Sequence, residues 1–232
     1  MASSMGAVPP PLEEYFERVR SAVDETIAKL AAAEFREDPI AGRKYSRATS
    51  IVSSAYKRHG AILQRALLER LKDCPRLRVW TEDEFKLSHD SLRQIRVAER
   101  LDSLLDTRLP YGDRERIVRA DVLVFDEEDR TLKAYNVKRG NGSYDAGKKR
   151  AIHEELVRTQ MVLNDYGRKL GLPVESEKAH IVFYYGLMSL PPPMAIPGEA
   201  LDGHFRYPVR EAIECVNAYF VSKLMRLIEV ED

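Results

Sequence analysis

Within Arg119 to Gly142, RADVLVFDEEDRTLKAYNVKRGNG, an acid and a lysine stand where plain strand residues are expected. Val122, Leu123, Val124 and Phe125 form one apolar segment; Leu132, Ala134, Tyr135 and Val137 form a second. The DEEDR between them offers no apolar residue, so the stretch reads as a β-hairpin with a polar turn. Asp121 interrupts the first segment and Lys138 closes the second. In adjacent antiparallel strands these positions converge at one end of a sheet, which brings a carboxylate and an ammonium to one point. Basic residues crowd the same region: Lys133, Lys138, Arg139, Lys148, Lys149 and Arg150, with Asp145 the only acid from 131 to 150. The glycines of Arg139-Gly140-Asn141-Gly142 allow a backbone to come close to a phosphate, and a helix start favours an anion. Arg139, Lys148, Lys149 and Arg150 are therefore the candidate phosphate contacts. The plainer alternative is an exposed loop and helix start.

The rest of the chain supplies the elements that position these residues. Residues 1–9 read as a disordered leader. From Pro11 to Glu34, Leu12, Tyr15, Phe16, Val19, Val23, Ile27 and Leu30 recur at three and four, an amphipathic helix. A second helical stretch covers about 46–72, with Gly60 suggesting two helices that meet there. Leu77–Phe85 is a strand, and LSHDSLRQIRVAERLDSLLDTRL is helical in period up to the Pro110-Tyr111-Gly112 turn. After the hairpin comes a helix over Lys148–Leu170, with Gly171 as its stop. Ala179–Gly186 is a strand covered on both faces, PPPMAIPG a rigid surface connector, and Pro208–Val230 a closing helix. This order predicts an α/β fold, a mixed central sheet flanked by helices. No linker divides the chain, so residues 10–232 read as one domain, with a core at about 58–186 and helical additions at 10–57 and 208–230.

Composition narrows the function classes. Lys plus Arg and Asp plus Glu each number 37, a formal net charge of zero. That balance neither requires a nucleic-acid partner nor excludes one, because a basic groove can be offset by acidic faces elsewhere. The two cysteines, Cys74 and Cys215, lack CxxC spacing and read as reduced, buried thiols. No apolar run approaches the ~20 residues that span a membrane, and the N-terminus lacks a signal-type segment. A cytoplasmic protein without membrane contact is the expectation. His59, His89, His153, His180 and His204 show no HxxxH or HxH spacing, so zinc is not expected, and His180 reads as a satisfied core residue. Neither a P-loop nor a GxSxG motif is present.

A helix, three strands, a helix and a fourth strand, with Asp121 on the second strand and Asn136-Val137-Lys138 closing the third, resembles the PD-(D/E)XK nuclease superfamily. The resemblance covers about Arg58 to Tyr185. It implies a restriction-endonuclease-like core and hydrolysis of phosphodiester bonds with Mg²⁺, Mn²⁺ being a ready substitute. Asp121 would be the main metal ligand, the Val137 carbonyl a further one, and Lys138 the catalytic lysine. Hard oxygen ligands suit Mg²⁺, which lowers the pKa of a retained water, while a lysine stabilises developing charge or positions the water.

The chain departs from the superfamily pattern at Asn136, where Asp or Glu is expected as catalytic residue and ligand. An amide offers one neutral oxygen, so metal affinity falls. Asn136 has three readings side by side: an engineered, isosteric Asp→Asn change that inactivates the site, a natural variant that works with the remaining ligands, or the mark of a relative that only binds nucleic acid. Supporting acids are sought nearby. Gln64 stands where related sequences often carry Glu, Glu69 lies a turn further along, and Glu82 ends the first strand; the bland readings are a solvated helix face for Glu69 and a solvated strand end for Glu82. The expected activity is that of a Mg²⁺-dependent DNA endonuclease similar to restriction or phage-defence enzymes. Cutting both strands of double-stranded DNA with one site per chain favours a homodimer. The alternatives are a degraded site that binds DNA without cutting, and a helical scaffold in which the hairpin is ordinary sheet.

Overall fold

A computed structural model of the chain describes residues 12–140, 142, 144–186 and 189–229. The leader at 1–9 and Asn141 lie outside the described residues. The described residues form two compact units, one from those up to Asp73 together with those from Phe205 onward, the other from those between Cys74 and His204.

The first unit consists of helices α1 (Leu12–Ala31), α2 (Gly42–Leu71) and α6 (Arg210–Glu229). Their buried residues recur at helical spacing: Tyr15, Val19, Val23 and Leu30 on α1, and Ala212, Ile213, Val216, Phe220 and Leu224 on α6. Where α1 meets α2, the buried Tyr15 hydroxyl donates to the Ala66 carbonyl at 3.2 Å. Helix α2 runs unbroken through Gly60, contrary to the expected pair of helices. Its buried face continues across the glycine, from Ala55 and His59 to Ile62 and Leu63, and that packing outweighs a helix-propensity cost of about 1 kcal/mol.

The second unit carries a five-stranded mixed sheet in the order β1 (Leu77–Leu87), β2 (Arg116–Asp126), β3 (Thr131–Lys138), β4 (Ser176–Phe183) and β5 (Ala195–Pro197). The first three strands are antiparallel neighbours; β3, β4 and β5 run parallel. Helix α4 (Ala146–Lys169) makes the crossover from β3 to β4 that a parallel pair requires. Asp145 caps its start by accepting from the Lys148 N–H at 2.8 Å, and Gly171, with φ of 77°, follows its end. One face of the sheet packs on α4. Leu123, Phe125, Leu132 and Ala134 meet Val162, Leu163 and Tyr166, while Ala179, Ile181 and Phe183 meet Leu156, Val157 and Met161. The fold is thus α/β with a mixed sheet flanked by helices, as the order of elements predicts.

Several details depart from the expectation. The long helical insertion is only α3 (His89–Val97), followed by a 3₁₀ turn at Leu101–Leu104; the backbone turns extended at Ala98. The short strand β5 lies inside the proline-rich connector, where Ile181 N–H donates to the Met194 carbonyl at 2.8 Å. Cys215 is exposed rather than buried, and both thiols are free.

On one face of the sheet Tyr135, His180 and His204 form a cluster. His180 is buried, lies parallel to the Tyr135 ring, and has Nδ1 3.1 Å from the Pro193 carbonyl. The Tyr135 hydroxyl and His204 Nε2 are 2.7 Å apart. Burial, with Lys133 and Lys178 nearby, pushes His180 down to about 4; burial, then His180 and Lys133, do the same to His204. Both imidazoles are therefore neutral at neutral pH, whereas the unfolded chain protonates them near 6.5. Between those values the unfolded state binds more protons, so stability is complete above about pH 6.5 and is lost as pH falls toward 4. The urea midpoint is expected to drop between pH 7.5 and 5.0, and His180→Gln is expected to shrink that drop. An equal drop in the variant would remove His180 from the account.

Candidate active site

The site is assembled by an irregularity between β1 and β2. Trp80 pairs with Leu123 and Glu82 with Ala120, so Asp121 and Val122 together stand opposite the single residue Thr81. This is a β-bulge, which bends its strand and re-aims a side chain out of strict alternation. The consequence appears one strand over. Regular β2–β3 pairing continues to Val122 opposite Tyr135; beyond it, the Val137 N–H donates to the Asp121 side chain, Oδ2, at 2.9 Å. A carboxylate has taken the place of a ladder carbonyl. It lies at the nitrogen of the peptide that links Asn136 to Val137.

That placement brings the motif residues together. Within a strand a residue's N–H and C=O point to the same neighbour, so the Val137 carbonyl is turned toward the edge where Asp121 sits. Asn136 and Lys138 flank Val137 and share the opposite face of β3, by the period of two. The Asn136 side-chain oxygen is buried and has no hydrogen-bond partner among the described residues. Lys138 is half-buried, and its ammonium makes no ion pair or hydrogen bond with the described residues. A half-buried ammonium in that state is suited to an anion brought from outside.

The other anticipated residues divide. Glu82 is half-buried and held, its Oε2 accepting from the Tyr166 hydroxyl at 3.1 Å while Oε1 caps the Glu84 N–H at 3.0 Å. Gln64 and Glu69 belong to α2 of the first unit. Gln64 is half-buried there, and Glu69 is buried rather than solvated. The Glu69 carboxylate is engaged by Lys72 at 2.9 Å, Arg65 at 3.2 Å and Arg18 at 3.4 Å, three cations that offset its desolvation. Of the basic residues, Arg139 lies over the Tyr185 ring at 5.5 Å, Lys148 over the Tyr144 ring at 4.2 Å, and Arg150 pairs with Glu154 at 2.8 Å. Lys148 and Arg150 are exposed; Lys149 and Arg139 are half-buried. Gly140 is required by the backbone itself: its φ is 70° and a Cβ there would meet the Phe183 backbone at 2.9 Å.

A small cavity beside Asn136 adds one residue that sequence reasoning passed over. Asn136, Ala120 and Ala134 of the sheet line it together with Glu155, Leu156 and Thr159 of α4. Glu155 is half-buried, and its Oε2 is 3.4 Å from an Arg116 guanidinium nitrogen. The signal was present in the sequence, since Ile152, Glu155, Leu156 and Thr159 fall at i, i+3, i+4 and i+7 and so place an acid on an apolar stripe.

The donors on offer at this strand end are hard oxygens: the Asp121 carboxylate, the Asn136 amide oxygen and the Val137 carbonyl. That chemistry fits Mg²⁺, and the unpartnered Asn136 oxygen is a buried acceptor in need of a donor or a cation. Among the described residues no group of three or more His, Cys, Asp or Glu side chains is placed to hold a metal ion, and no helix is long and apolar enough to cross a membrane. No family model, curated protein or solved structure matches this chain.

Proposed function

We propose that this chain is a Mg²⁺-dependent deoxyribonuclease of the PD-(D/E)XK type, an endonuclease similar to restriction or phage-defence enzymes that acts on double-stranded DNA as a homodimer. One observation carries the reading. The 2.9 Å bond from the Val137 N–H to Asp121 Oδ2 brings the acid of one strand to the peptide preceding Val137, one residue from an ammonium without a partner among the described residues. The strand order supports it as well: a helix, a three-stranded meander, a crossover helix and a parallel fourth strand follow the order the superfamily implies.

In this reading Asp121, Asn136 and the Val137 carbonyl hold the cation, which supplies charge neutralisation and a water of lowered pKa when bound. Lys138 donates to a non-bridging oxygen of the scissile phosphate, where negative charge grows in the transition state. Arg139, Lys148 and Lys149 lie along the chain beyond Lys138 and neutralise neighbouring phosphates. A neutral amide at 136 makes this a weak cation site.

The test is cleavage of supercoiled plasmid in Mg²⁺ and Mn²⁺ by the chain as it stands and by Asn136→Asp. The acid is expected to raise cleavage at limiting metal by about tenfold or more, since affinity follows the charge of the ligand set. The same neutral amide favours a second reading, a nuclease-fold protein that grips DNA without cutting. DNA binding that weakens steeply with salt, with no cleavage even by Asn136→Asp, would establish that reading in place of the first.

A further inference from the structure

Resting on the nuclease reading, we infer that Glu155 is the second carboxylate of the site and supplies, from helix α4, the negative charge that Asn136 lacks. The carrying observation is that a buried acceptor without a donor and a carboxylate line one small cavity. The Asn136 side-chain oxygen is buried without a donor. Glu155 lines the same cavity, half-buried, with Oε2 3.4 Å from an Arg116 guanidinium nitrogen. Thr159, which also lines it, has its hydroxyl proton committed to the Glu155 backbone carbonyl at 2.8 Å. Arg119, the one cation in the lining, is engaged by Asp83 at 3.0 Å.

The buried Asn136 oxygen lacks a donor, and the Glu155 carboxylate that lines the same cavity brings negative charge beside it. The arrangement is stable when a cation or its bound water fills the space between them. Glu155 and Asn136 would hold a divalent metal there, and Asp121 lies next to them in the site, its carboxylate accepting from the N–H of the residue after Asn136. Counted with Asp121, the site would then draw on two carboxylates, as in a pair of acids on the strands, with one of them moved to the crossover helix. Asn136 becomes a working ligand and not a lesion.

The experiment is direct Mn²⁺ binding, by the loss of free-ion electron paramagnetic resonance signal, for the full chain and for Asp121→Asn, Glu155→Gln and Glu154→Gln. Glu154 is paired with Arg150 on the same helix, so Glu154→Gln controls for loss of a surface charge. Glu155→Gln is expected to weaken Mn²⁺ binding by about 10- to 100-fold, Glu154→Gln to leave it unchanged, and Asn136→Asp in the Glu155→Gln background to restore it. Unchanged binding in Glu155→Gln alongside weakened binding in Asp121→Asn overturns the inference and leaves the nuclease reading standing. Failure of the parent and of Asn136→Asp to bind Mn²⁺ at millimolar concentration overturns both.

Discussion

Asp121→Asn and Asp121→Ala are both expected to lower DNA cleavage by about 1000-fold or more, yet to differ in stability. The catalytic loss follows from removing the one carboxylate that the sheet itself delivers to the motif, since metal-assisted charge stabilisation is worth several kcal/mol of the barrier. The stability difference follows from the second task of that carboxylate. Its Oδ2 is the acceptor for the Val137 N–H where regular pairing of β2 and β3 has ended, and Val137 is buried. Alanine leaves that donor unsatisfied, at about 1–3 kcal/mol. Asparagine retains an oxygen of the same reach, so its cost is expected to stay below about 1 kcal/mol. Urea denaturation of the two variants beside the parent, with plasmid cleavage on the same samples, separates the roles. Cleavage by Asp121→Asn at the parent's rate would end the nuclease assignment, because no rearrangement of the fold could be blamed.

The sequence makes the hairpin and its two odd residues legible because a strand has a short period. An acid or a lysine within four or five apolar residues stands out against it, and a polar turn such as DEEDR closes the pair unambiguously. What brings Asp121 onto the Val137 peptide is less visible. It depends on a one-residue mismatch between β1 and β2, and register against a strand some forty residues away leaves no local mark. Burial of charge was hidden for the same reason. Glu69 looked solvated by helical period, but the cations that hold it include Arg18 from α1, a neighbour set only by tertiary packing. Glu155 was readable in principle from its apolar stripe, and it was masked by the many charges at the start of α4. The prolines around Ala195–Pro197 argued for a connector; the strand there is three residues long and pairs with β4 alone, too short to leave a periodic signal.

Gly140→Ala is expected to destabilise the chain by about 3 kcal/mol, combining a positive φ that L side chains adopt at a cost with overpacking against main chain. The new Cβ would lie 2.7 Å from Phe183 Cβ and 2.9 Å from Phe183 Cα. Phe183 is fully buried in β4 and packed with α4, and its backbone cannot retreat without breaking the parallel pairing to Lys138. The segment leaving β3 is also fastened there, with the Lys138 and Arg139 carbonyls accepting from Tyr184 and Tyr185 at 3.0 and 2.7 Å. Relief must therefore come from the 138–140 segment, which would move Lys138 away from Asp121. Cleavage should fall along with stability, whereas Gly142→Ala, two residues on, should change neither, because a Cβ at Gly142 meets nothing within 4 Å. For a chain of this size the shift in melting temperature is roughly 6–12 °C. Equal melting temperatures for the two variants would show that the segment does not lie against β4, and the positioning of Lys138 by that contact would have to be abandoned.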